Sequence, residues 1–367
     1  MSDTTREPCV VIIDDQLDNV QNLASDLRKG NLEVETTEPH QLGEVALREG
    51  TIFLVDMFLT EWPGRNKLRP SAQVFDGIAL AAVIRAHARH ADRPIPIVAL
   101  NTGRADDLSE LPLEIREHAI ARAHNLEWVF LKNDSPSPVP THERIAELAD
   151  AQRRLPVTWT ADTGEAELLS VLAATEDELT EILDAWPPIR EVGKDTGGIA
   201  VLRWLLHRIL PYPCFLLDER HVAVRLGMTR PSLTKITQGT NKLALALEGC
   251  RYKGILSGFE GPRWWRSRLE AMLWQFSPNG TLPATTDDLE SYSDTGFERA
   301  ATPNGVIVLS ADYTPREEPV DITKAVRIRL DDWPPYAESA WAAISDALED
   351  PRLRDRVLPL DRPRLEE

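Results

Sequence analysis

The sequence predicts an α/β fold: a doubly wound, five-stranded parallel sheet, followed by a mostly helical C-terminal domain with a few strands. Through the first 134 residues, short apolar runs alternate with segments whose apolar residues recur at helical spacing. Such alternation is typical of a parallel sheet that helices cover on both faces. A proline-rich segment follows, and from about residue 157 helical patterns dominate. These observations predict an α/β domain joined to a helix-rich one.

Five apolar runs are predicted to form the strands of the sheet. They lie at residues 10–13, 32–34, 51–55, 95–100 and 128–131. Helical spacing of apolar residues is found over residues 17–27, 77–88 and 113–123, and Gly30 ends the first of these helices. In the C-terminal part, helices are expected at residues 175–187, 199–210, 220–238, 263–276 and 336–348, and strands at residues 306–310 and 325–330.

The proline-rich segment 135–140 marks the predicted domain boundary, because proline restricts the backbone and cannot continue a helix or a strand. We expect a first domain at residues 1–134 and a C-terminal domain at residues 157–367. Residues 135–156 are predicted to be a linker that includes a helix from residue 141 to about residue 154. That helix is expected either to connect the two domains or to mediate self-association.

Composition excludes several classes of protein. The 367 residues are 42% hydrophobic and 27% charged, as in ordinary globular proteins, which excludes disordered, collagen-like and disulfide-scaffold chains. The cysteines Cys9, Cys214 and Cys250 are odd in number and far apart, which favours a reducing, cytoplasmic compartment. The amino terminus is polar, unlike a secretory leader, and no apolar segment is long enough to span a bilayer. No membrane partner is expected.

Charge is distributed unevenly along the chain. The net charge is −18, from 41 basic and 59 acidic residues, which argues against a surface devoted to binding phosphates. Residues 203–268 nevertheless contain twelve Lys and Arg residues against four acids, a local charge of +8 that leaves −26 for the remainder. The chain is therefore an acidic protein with one basic segment.

Polar side chains follow the predicted strands where each one ends. Asp14 and Asp15 follow the first strand, Asp56 the third, Asn101 or Thr102 the fourth, and Lys132 the fifth. The ends of parallel strands converge on one cleft, and three carboxylates held together there need a cation such as Mg²⁺. An Asp beside that cation can attack phosphorus, and the lysine can face the transferred phosphoryl group. The pattern predicts a phosphoryl-accepting site.

The segments VVIIDDQ, FLVDMF, DGIALAAVIRA, IPIVALNTG and WVFLKND resemble the successive motifs of two-component response regulator receiver domains, over residues 8–134. The resemblance implies a flavodoxin-like fold and the transfer of a phosphoryl group from a histidine kinase, with Mg²⁺ required. It also implies that Asp14, Asp15 and Asp56 hold the metal. Asp56 would be the phosphoacceptor, and Lys132 would sense the phosphoryl group. The position at which the family carries a hydroxyl after strand four would align with Asn101 or, with one residue inserted, with Thr102.

The sequence departs from the family pattern at three places. The Asp76-Gly77 pair comes twenty residues after Asp56, much later than usual, so residues 60–75 form an insertion beside the site. That loop is interpreted as a lid, a partner-docking surface or a neutral insertion. Asn133 follows Lys132 where the family prefers proline, and an Asn at position 101 would weaken the usual switch. A receiver that folds but is not phosphorylated is therefore an alternative, as is a group of solvated loop acids.

Residues 219–238, within the basic segment, resemble a DNA-binding helix-turn-helix. Such units need a small residue where the helices touch and a Gly four residues later for the turn, which Ala223 and Gly227 supply. The polar and basic residues of the second helix would then face outward toward DNA. They are Thr229, Arg230, Ser232, Thr234 and Lys235. A plain helical hairpin has the same apolar pattern and is the alternative.

The sequence thus predicts a phosphorelay response regulator in which phosphorylation of Asp56 controls a DNA-binding output domain. The alternative is an adaptor or phosphate-buffering protein whose C-terminal domain binds protein. Expected partners are a histidine kinase or phosphotransfer protein, DNA, and a second copy of the chain, and the expected cofactor is Mg²⁺. We find no motif of an independent enzyme in the C-terminal part.

Overall fold

The computed structural model describes residues 9–67, 76–90, 96–103, 113–132, 137–155, 164–188, 198–293 and 296–366. The chain divides into two compact units. The first consists of Met1–Leu179, Trp186–Arg208 and Gly254–Gly261, and the second of Thr180–Ala185, Ile209–Lys253 and Pro262–Glu367. The boundary expected at residues 134–135 differs from this division, because the helix Thr141–Arg154 packs against the helix Gln21–Lys29 within the first unit.

The first unit contains a five-stranded parallel sheet, as predicted. Its strands are β1 (Cys9–Ile13), β2 (Glu33–Thr37), β3 (Ile52–Asp56), β4 (Ile97–Thr102) and β5 (Trp128–Leu131). Their order in the sheet is β2-β1-β3-β4-β5. Strands β1, β3, β4 and β5 are buried at every position, whereas edge strand β2 alternates exposed and partly buried residues. Strands buried on both faces read as continuous apolar runs, which is why the sequence revealed them.

Parallel strands need crossover connections, and helices supply them. The helices of the first unit are α1 (Gln21–Lys29), α2 (Glu44–Glu49), α3 (Gly77–His90), α4 (Leu113–Ala123), α5 (Thr141–Arg154), α6 (Gly164–Leu172) and α8 (Ile199–Trp204). Between α6 and α8 lies α7 (Leu179–Asp184), which belongs to the second unit except for its first residue. One core cluster joins Val11, Phe53, Val98 and Val129 from one face of the sheet to Ile84 of α3. Alternation along the strands therefore places odd-numbered residues of β1 and β3 in this core, and even-numbered ones on the opposite face.

The second unit is mostly helical with a few short strands, as predicted. Its helices are α9 (Glu219–Leu226), α10 (Arg230–Thr237), α11 (Lys242–Cys250), α12 (Arg266–Gln275), α13 (Thr286–Glu290), α14 (Ile344–Glu349) and α15 (Pro351–Arg354). Its strands are β6 (Leu216–Leu217), β7 (Trp264–Trp265), β8 (Gly305–Val306), β9 (Val320–Asp321), β10 (Ala325–Ile328) and β11 (Ala340–Ala343). Each pairs with one partner in an antiparallel two-stranded sheet. Among the described helices, none is both long and apolar enough to cross a membrane.

The prediction of a single helix over residues 336–348 is wrong in its first half. Residues 340–343 form β11, which pairs with β10 through Ala325↔Ala343 and Ile328↔Ala340, and only then does α14 begin. Alanine favours helices in isolation, but pairing with a buried strand outweighs a preference of a few tenths of a kcal/mol per residue.

Candidate functional site

The topology brings the carboxyl ends of β1 and β3 together at the edge of the sheet. In the order β2-β1-β3-β4-β5 the crossovers leave β1 and β3 toward opposite faces, which opens a crevice between the two strand ends. Asp14 follows β1, Asp56 ends β3, and Lys132 follows β5. Alternation along the strands places these three residues on one face of the sheet.

Lys132 lies between two carboxylates. Its Nζ donates to Asp14 Oδ2 at 2.9 Å and to Asp56 Oδ1 at 2.7 Å. Asp14 and Asp56 are buried, whereas the side chain of Lys132 retains 20% exposure. The structure therefore brings together residues that are 118 and 76 positions apart in the chain, as the strand-end pattern predicts.

Asp15 adds a third carboxylate to this pair. One oxygen from each of Asp14, Asp15 and Asp56 lies within 4.8 Å of the others. With one ammonium among three carboxylates, the group keeps excess negative charge, and its donors are all the hard oxygen atoms that Mg²⁺ prefers. The residues present fit a divalent cation.

Burial and hydrogen bonding set the charge states of Asp56 and Lys132. Burial raises the pKa of the Asp56 carboxyl, although the hydrogen bond and charge of Lys132 oppose the rise. For Lys132, burial alone lowers the pKa, but the hydrogen bonds to Asp56 and Asp14 outweigh it, so the pKa is raised and the ammonium stays protonated. A carboxylate with a raised pKa is a more basic nucleophile than an exposed one.

The register separates the two strand-four candidates. Asn101 is the direct partner of Asp56 across β3 and β4, so its side chain projects from the same face of the sheet. Thr102 projects from the opposite face, and its carbonyl oxygen accepts the backbone N–H of Lys132 at 2.8 Å. Both residues are buried. Asn101, which can donate an amide N–H, is therefore the strand-four residue beside Asp56.

Backbone N–H groups that sequence reasoning missed orient all three carboxylates. The donors are Gln16 to Asp14 (2.8 Å), Phe58 to Asp56 (3.1 Å) and Glu61 to Asp15 (2.6 Å). The first two follow a local signal, since an Asp side chain commonly accepts from the residue two positions later at a turn. The third has no local signal because the residues are 46 positions apart.

Gly77 explains why the Asp-Gly pair belongs to the site despite its distance in sequence. A Cβ on Gly77 would lie 2.4 Å from the carbonyl oxygen of Asp56, so only glycine lets α3 begin against the end of β3. The Gly77 N–H donates to Met57 O at 2.9 Å, and Phe58 bridges to Asp76. The insertion therefore leaves and rejoins the fold at the same point. Residues 68–75 of the insertion, and Asn133, lie outside the described residues.

The predicted helix-turn-helix segment forms two helices, α9 and α10. Gly227 joins them in the left-handed conformation (φ 67°), and Thr229 caps α10 by accepting the N–H of Ser232. Ala223 is buried between them, in the core cluster that includes Leu233 and Ile236. This geometry is common to DNA-binding units and to plain helical hairpins.

Most of the residues predicted to contact DNA make contacts within the protein instead. Lys235 is exposed. Ser232 is buried, contrary to the expectation that it faces outward, because its hydroxyl accepts the backbone N–H of Glu298 at 2.9 Å. Arg230 pairs with Glu317 and, at 3.2 Å, with Glu219. The hydroxyl of Thr234 donates to Glu219 at 2.6 Å. Two carboxylates therefore lie on the surface where phosphates would bind.

Acids drawn from other parts of the chain neutralise much of the basic segment. At least five of its twelve Lys and Arg residues pair with acids outside the segment: Arg203, Arg220, Arg225, Arg230 and Arg266. Arg251 and Lys253 pair with Glu248 inside it. A further one, Arg263, is buried and donates to the carbonyl oxygen of Leu210 at 3.0 Å. The local charge of +8 therefore overstates the positive potential of this segment.

No protein-family model matches the chain, and no curated protein is significantly similar to it in sequence. Solved structures do resemble it. One is the co-crystal structure of the Saccharomyces cerevisiae histidine phosphotransfer signaling protein Ypd1 and the receiver domain of its downstream response regulator Ssk1 (17% identity, 40% of this chain and 88% of that chain covered, TM-score 0.27). Another is a CheY-like response regulator receiver domain protein from Methanospirillum hungatei JF-1 (19% identity, 41% and 98% covered, TM-score 0.26).

A third similar structure is the response regulator ChrA of a heme-sensing two-component system (16% identity, 56% of this chain and 100% of that chain covered, TM-score 0.23). Each of the three contains a response regulator or its receiver domain. The N-terminal part of the chain is structurally similar to response regulator receiver domains. At 16% to 19% identity the likeness concerns the fold.

Proposed function

We propose that the chain is a phosphoacceptor response regulator in which Asp56 takes a phosphoryl group from a histidine kinase or a histidine phosphotransfer protein. The observation that carries the proposal is the position of Lys132 Nζ, within 2.9 Å of both Asp14 and Asp56. A buried acid held against an ammonium, beside two further acids, is the arrangement that accepting a phosphoryl group requires.

The roles of the residues follow from their positions. An oxygen of Asp56 forms the new bond to phosphorus as the bond from phosphorus to the donor's histidine nitrogen breaks, and that nitrogen keeps the electron pair. Lys132 supplies positive charge to the phosphoryl oxygens, and Asn101 lies on the same face to donate a hydrogen bond. Asp14, Asp15 and Asp56 would hold Mg²⁺, which supplies charge neutralisation to the transferred group.

Intact-mass measurement tests the phosphoacceptor. The full-length protein is incubated with acetyl phosphate and Mg²⁺, and we expect the mass to rise by one phosphoryl group. The Asp56→Asn variant should gain nothing, while Asp184→Asn, a matched change at the end of α7, should behave as the wild type. An unchanged mass for the wild type would leave a receiver that folds without being phosphorylated.

For the output, we propose a protein-binding second unit rather than a DNA-binding one. The observation that favours this alternative is the pairing of Arg230 with Glu219 and Glu317, which places acidic side chains on the outer face of α10. Recognition helices present unpaired basic and polar side chains to phosphates and base edges. The proposal includes no independent enzymatic activity for this unit.

A gel shift with genomic fragments at two salt concentrations separates the two outputs. A DNA-binding protein that neutralises several phosphates loses affinity steeply as salt rises. We expect no retardation at either concentration, for the phosphorylated and for the unmodified protein. Retardation at low salt that disappears at high salt would restore the DNA-binding output.

A further inference from the structure

Residues 58–62, which follow β3 and include the start of the insertion, cross the edge of the sheet on which the acids lie. Phe58 bridges to Asp76, where the chain rejoins the fold, and the sheet order places β1 between β3 and β2. Residues 59–62 reach the short helical turn Pro39–Gln41 that follows β2. To do so they pass the end of β1, where Asp14 and Asp15 lie.

Contact with Asp15 is made by the backbone of the insertion. The N–H of Glu61 donates to Asp15 Oδ2 at 2.6 Å, while the Glu61 side chain accepts from Gln16 Nε2 at 3.1 Å. Asp14 and Asp56 are buried and held by Lys132, but Asp15 is partly exposed and lies beyond the strand. The Glu61 N–H therefore limits the rotation of a carboxylate that is more exposed than the other two.

Trp62 anchors this part of the insertion. Its indole is 7% exposed and belongs to the core cluster of the first unit, together with Leu59. It also stacks on His40, with 6.1 Å between ring centroids and 8° between ring planes. Removing the indole would free residues 60–62 from the core, while Leu59 stays buried there, and so withdraw the N–H of the adjacent Glu61.

We propose that residues 58–62 position the metal site: Glu61, through its backbone N–H, and Trp62, stacked on His40, hold Asp15 in the orientation that binding Mg²⁺ requires. This inference rests on the proposed function, because it takes Asp15 as a metal ligand. Groups that orient metal ligands without touching the metal commonly contribute 10- to 100-fold to affinity. Trp62 and His40 are positioning residues, since neither carries an oxygen of the site.

Calorimetric titration of Mg²⁺ into the full-length protein tests the inference. We expect Trp62→Ala to raise the dissociation constant for Mg²⁺ by about tenfold or more. Trp62→Phe keeps an aromatic ring against His40 and should restore binding close to that of the wild type. Trp274→Ala, the same substitution at a half-exposed tryptophan of the second unit, should leave binding unchanged.

A second pair of variants separates the backbone from the side chain. Glu61→Pro removes the N–H and should weaken Mg²⁺ binding as Trp62→Ala does, whereas Glu61→Ala keeps the N–H and should bind like the wild type. At saturating Mg²⁺, we expect phosphorylation of both weakened variants by acetyl phosphate to return to the wild-type extent, which a general loss of structure would not allow.

Equal Mg²⁺ affinity in the wild type, Trp62→Ala and Glu61→Pro would overturn the inference and leave the phosphoacceptor proposal standing. Mg²⁺ binding that is weakened in Trp62→Ala and Glu61→Pro but not in Trp62→Phe or Glu61→Ala, with no phosphoryl uptake by the wild type, would support the inference and defeat the phosphoacceptor proposal. A wild type that binds no Mg²⁺ would overturn both the inference and the metal role of the three acids.

Discussion

Lys132 stabilises two buried acids at once. Because its Nζ hydrogen-bonds to both Asp14 and Asp56, the ammonium offsets repulsion among three carboxylates that lie within 4.8 Å of one another. Removing one partner of a buried ion pair leaves an uncompensated charge. The same arrangement makes the site sensitive to any other cation that can take over this role.

We expect Lys132→Met to lower the free energy of unfolding by about 3 kcal/mol without Mg²⁺, since two buried carboxylates lose their cation. Added Mg²⁺ should then raise the melting temperature of the variant more than that of the wild type, because ligand binding stabilises the folded state that holds it. Thermal melts with and without Mg²⁺ measure both effects. Lys29→Met, at an exposed ion pair, serves as the control. Equal Mg²⁺ shifts in variant and wild type would contradict the expectation.

His207 is a buried histidine that resists protonation. Its Nε2 donates to the carbonyl oxygen of Leu126 at 3.0 Å, and its Nδ1 is buried without a hydrogen-bond partner among the described residues. The ring stacks on Trp128. Burial lowers the pKa of His207 to about 4. A proton on Nδ1 would therefore have to be desolvated.

The first unit should consequently lose stability as pH falls from 7 to 5. The unfolded chain binds a proton below its ordinary histidine pKa of about 6.5, and the folded chain does not until about 4, so each such histidine contributes a loss of up to about 1.4 kcal/mol per pH unit. Urea unfolding of His207→Gln should show a shallower dependence than the wild type. Some slope should remain, because burial lowers the pKa of His118 to about 4 as well.

At the scale of elements, α5 is held against the sheet by one buried cation. Arg144 is fully buried; its guanidinium pairs with Glu117 at 2.7 Å and Glu260 at 2.5 Å, and lies over the rings of Trp128 and Phe259. This arrangement explains why α5 belongs to the first unit rather than to a linker, because a buried charge of this kind needs its partners on the packed face.

Arg144→Met should lower the free energy of unfolding of the first unit by about 3–5 kcal/mol, because Glu117 and Glu260 lose their common cation. Adding Glu117→Gln and Glu260→Gln should recover part of that loss, since no carboxylate then remains without its cation. Denaturant titration measures each variant. Arg153→Met, on an exposed turn of the same helix, should change stability by less than about 1 kcal/mol. If Arg144→Met alone is as stable as the wild type, the ion pairs of Arg144 with Glu117 and Glu260 have no structural role.

At the scale of the whole molecule, charge decides what the second unit can bind. The net charge of −18 repels polyanions, and acids outside residues 203–268 pair with at least five of the basic residues that would offset it. Non-specific DNA binding derives almost entirely from unpaired cations near phosphates. A folded α9–α10 pair is therefore not sufficient for a DNA-binding surface.

Removing the acids beside α10's outer face should favour DNA binding. In the double variant Glu219→Gln and Glu317→Gln, Arg230 loses both of its carboxylate partners. We expect this variant to retard DNA at low salt, with a salt slope of about 0.9 per phosphate contacted, while the wild type does not. Asp312→Asn combined with Glu318→Gln, which removes the same charge elsewhere in the second unit, is the control. If the control retards DNA equally, net charge rather than α10 is responsible.

The sheet and the acids at its edge could be predicted from the sequence. Both follow from local patterns: apolar runs buried on both faces, and polar residues at strand ends that topology makes convergent, which placed Asp14, Asp56 and Lys132 together. The packing of elements in space determined the rest. It set Asn101 rather than Thr102 beside Asp56, turned residues 340–343 into a strand, and joined Glu61 to Asp15. It also brought Glu317 to Arg230 across 87 positions, and such contacts depend on how elements meet in space, which no local pattern encodes.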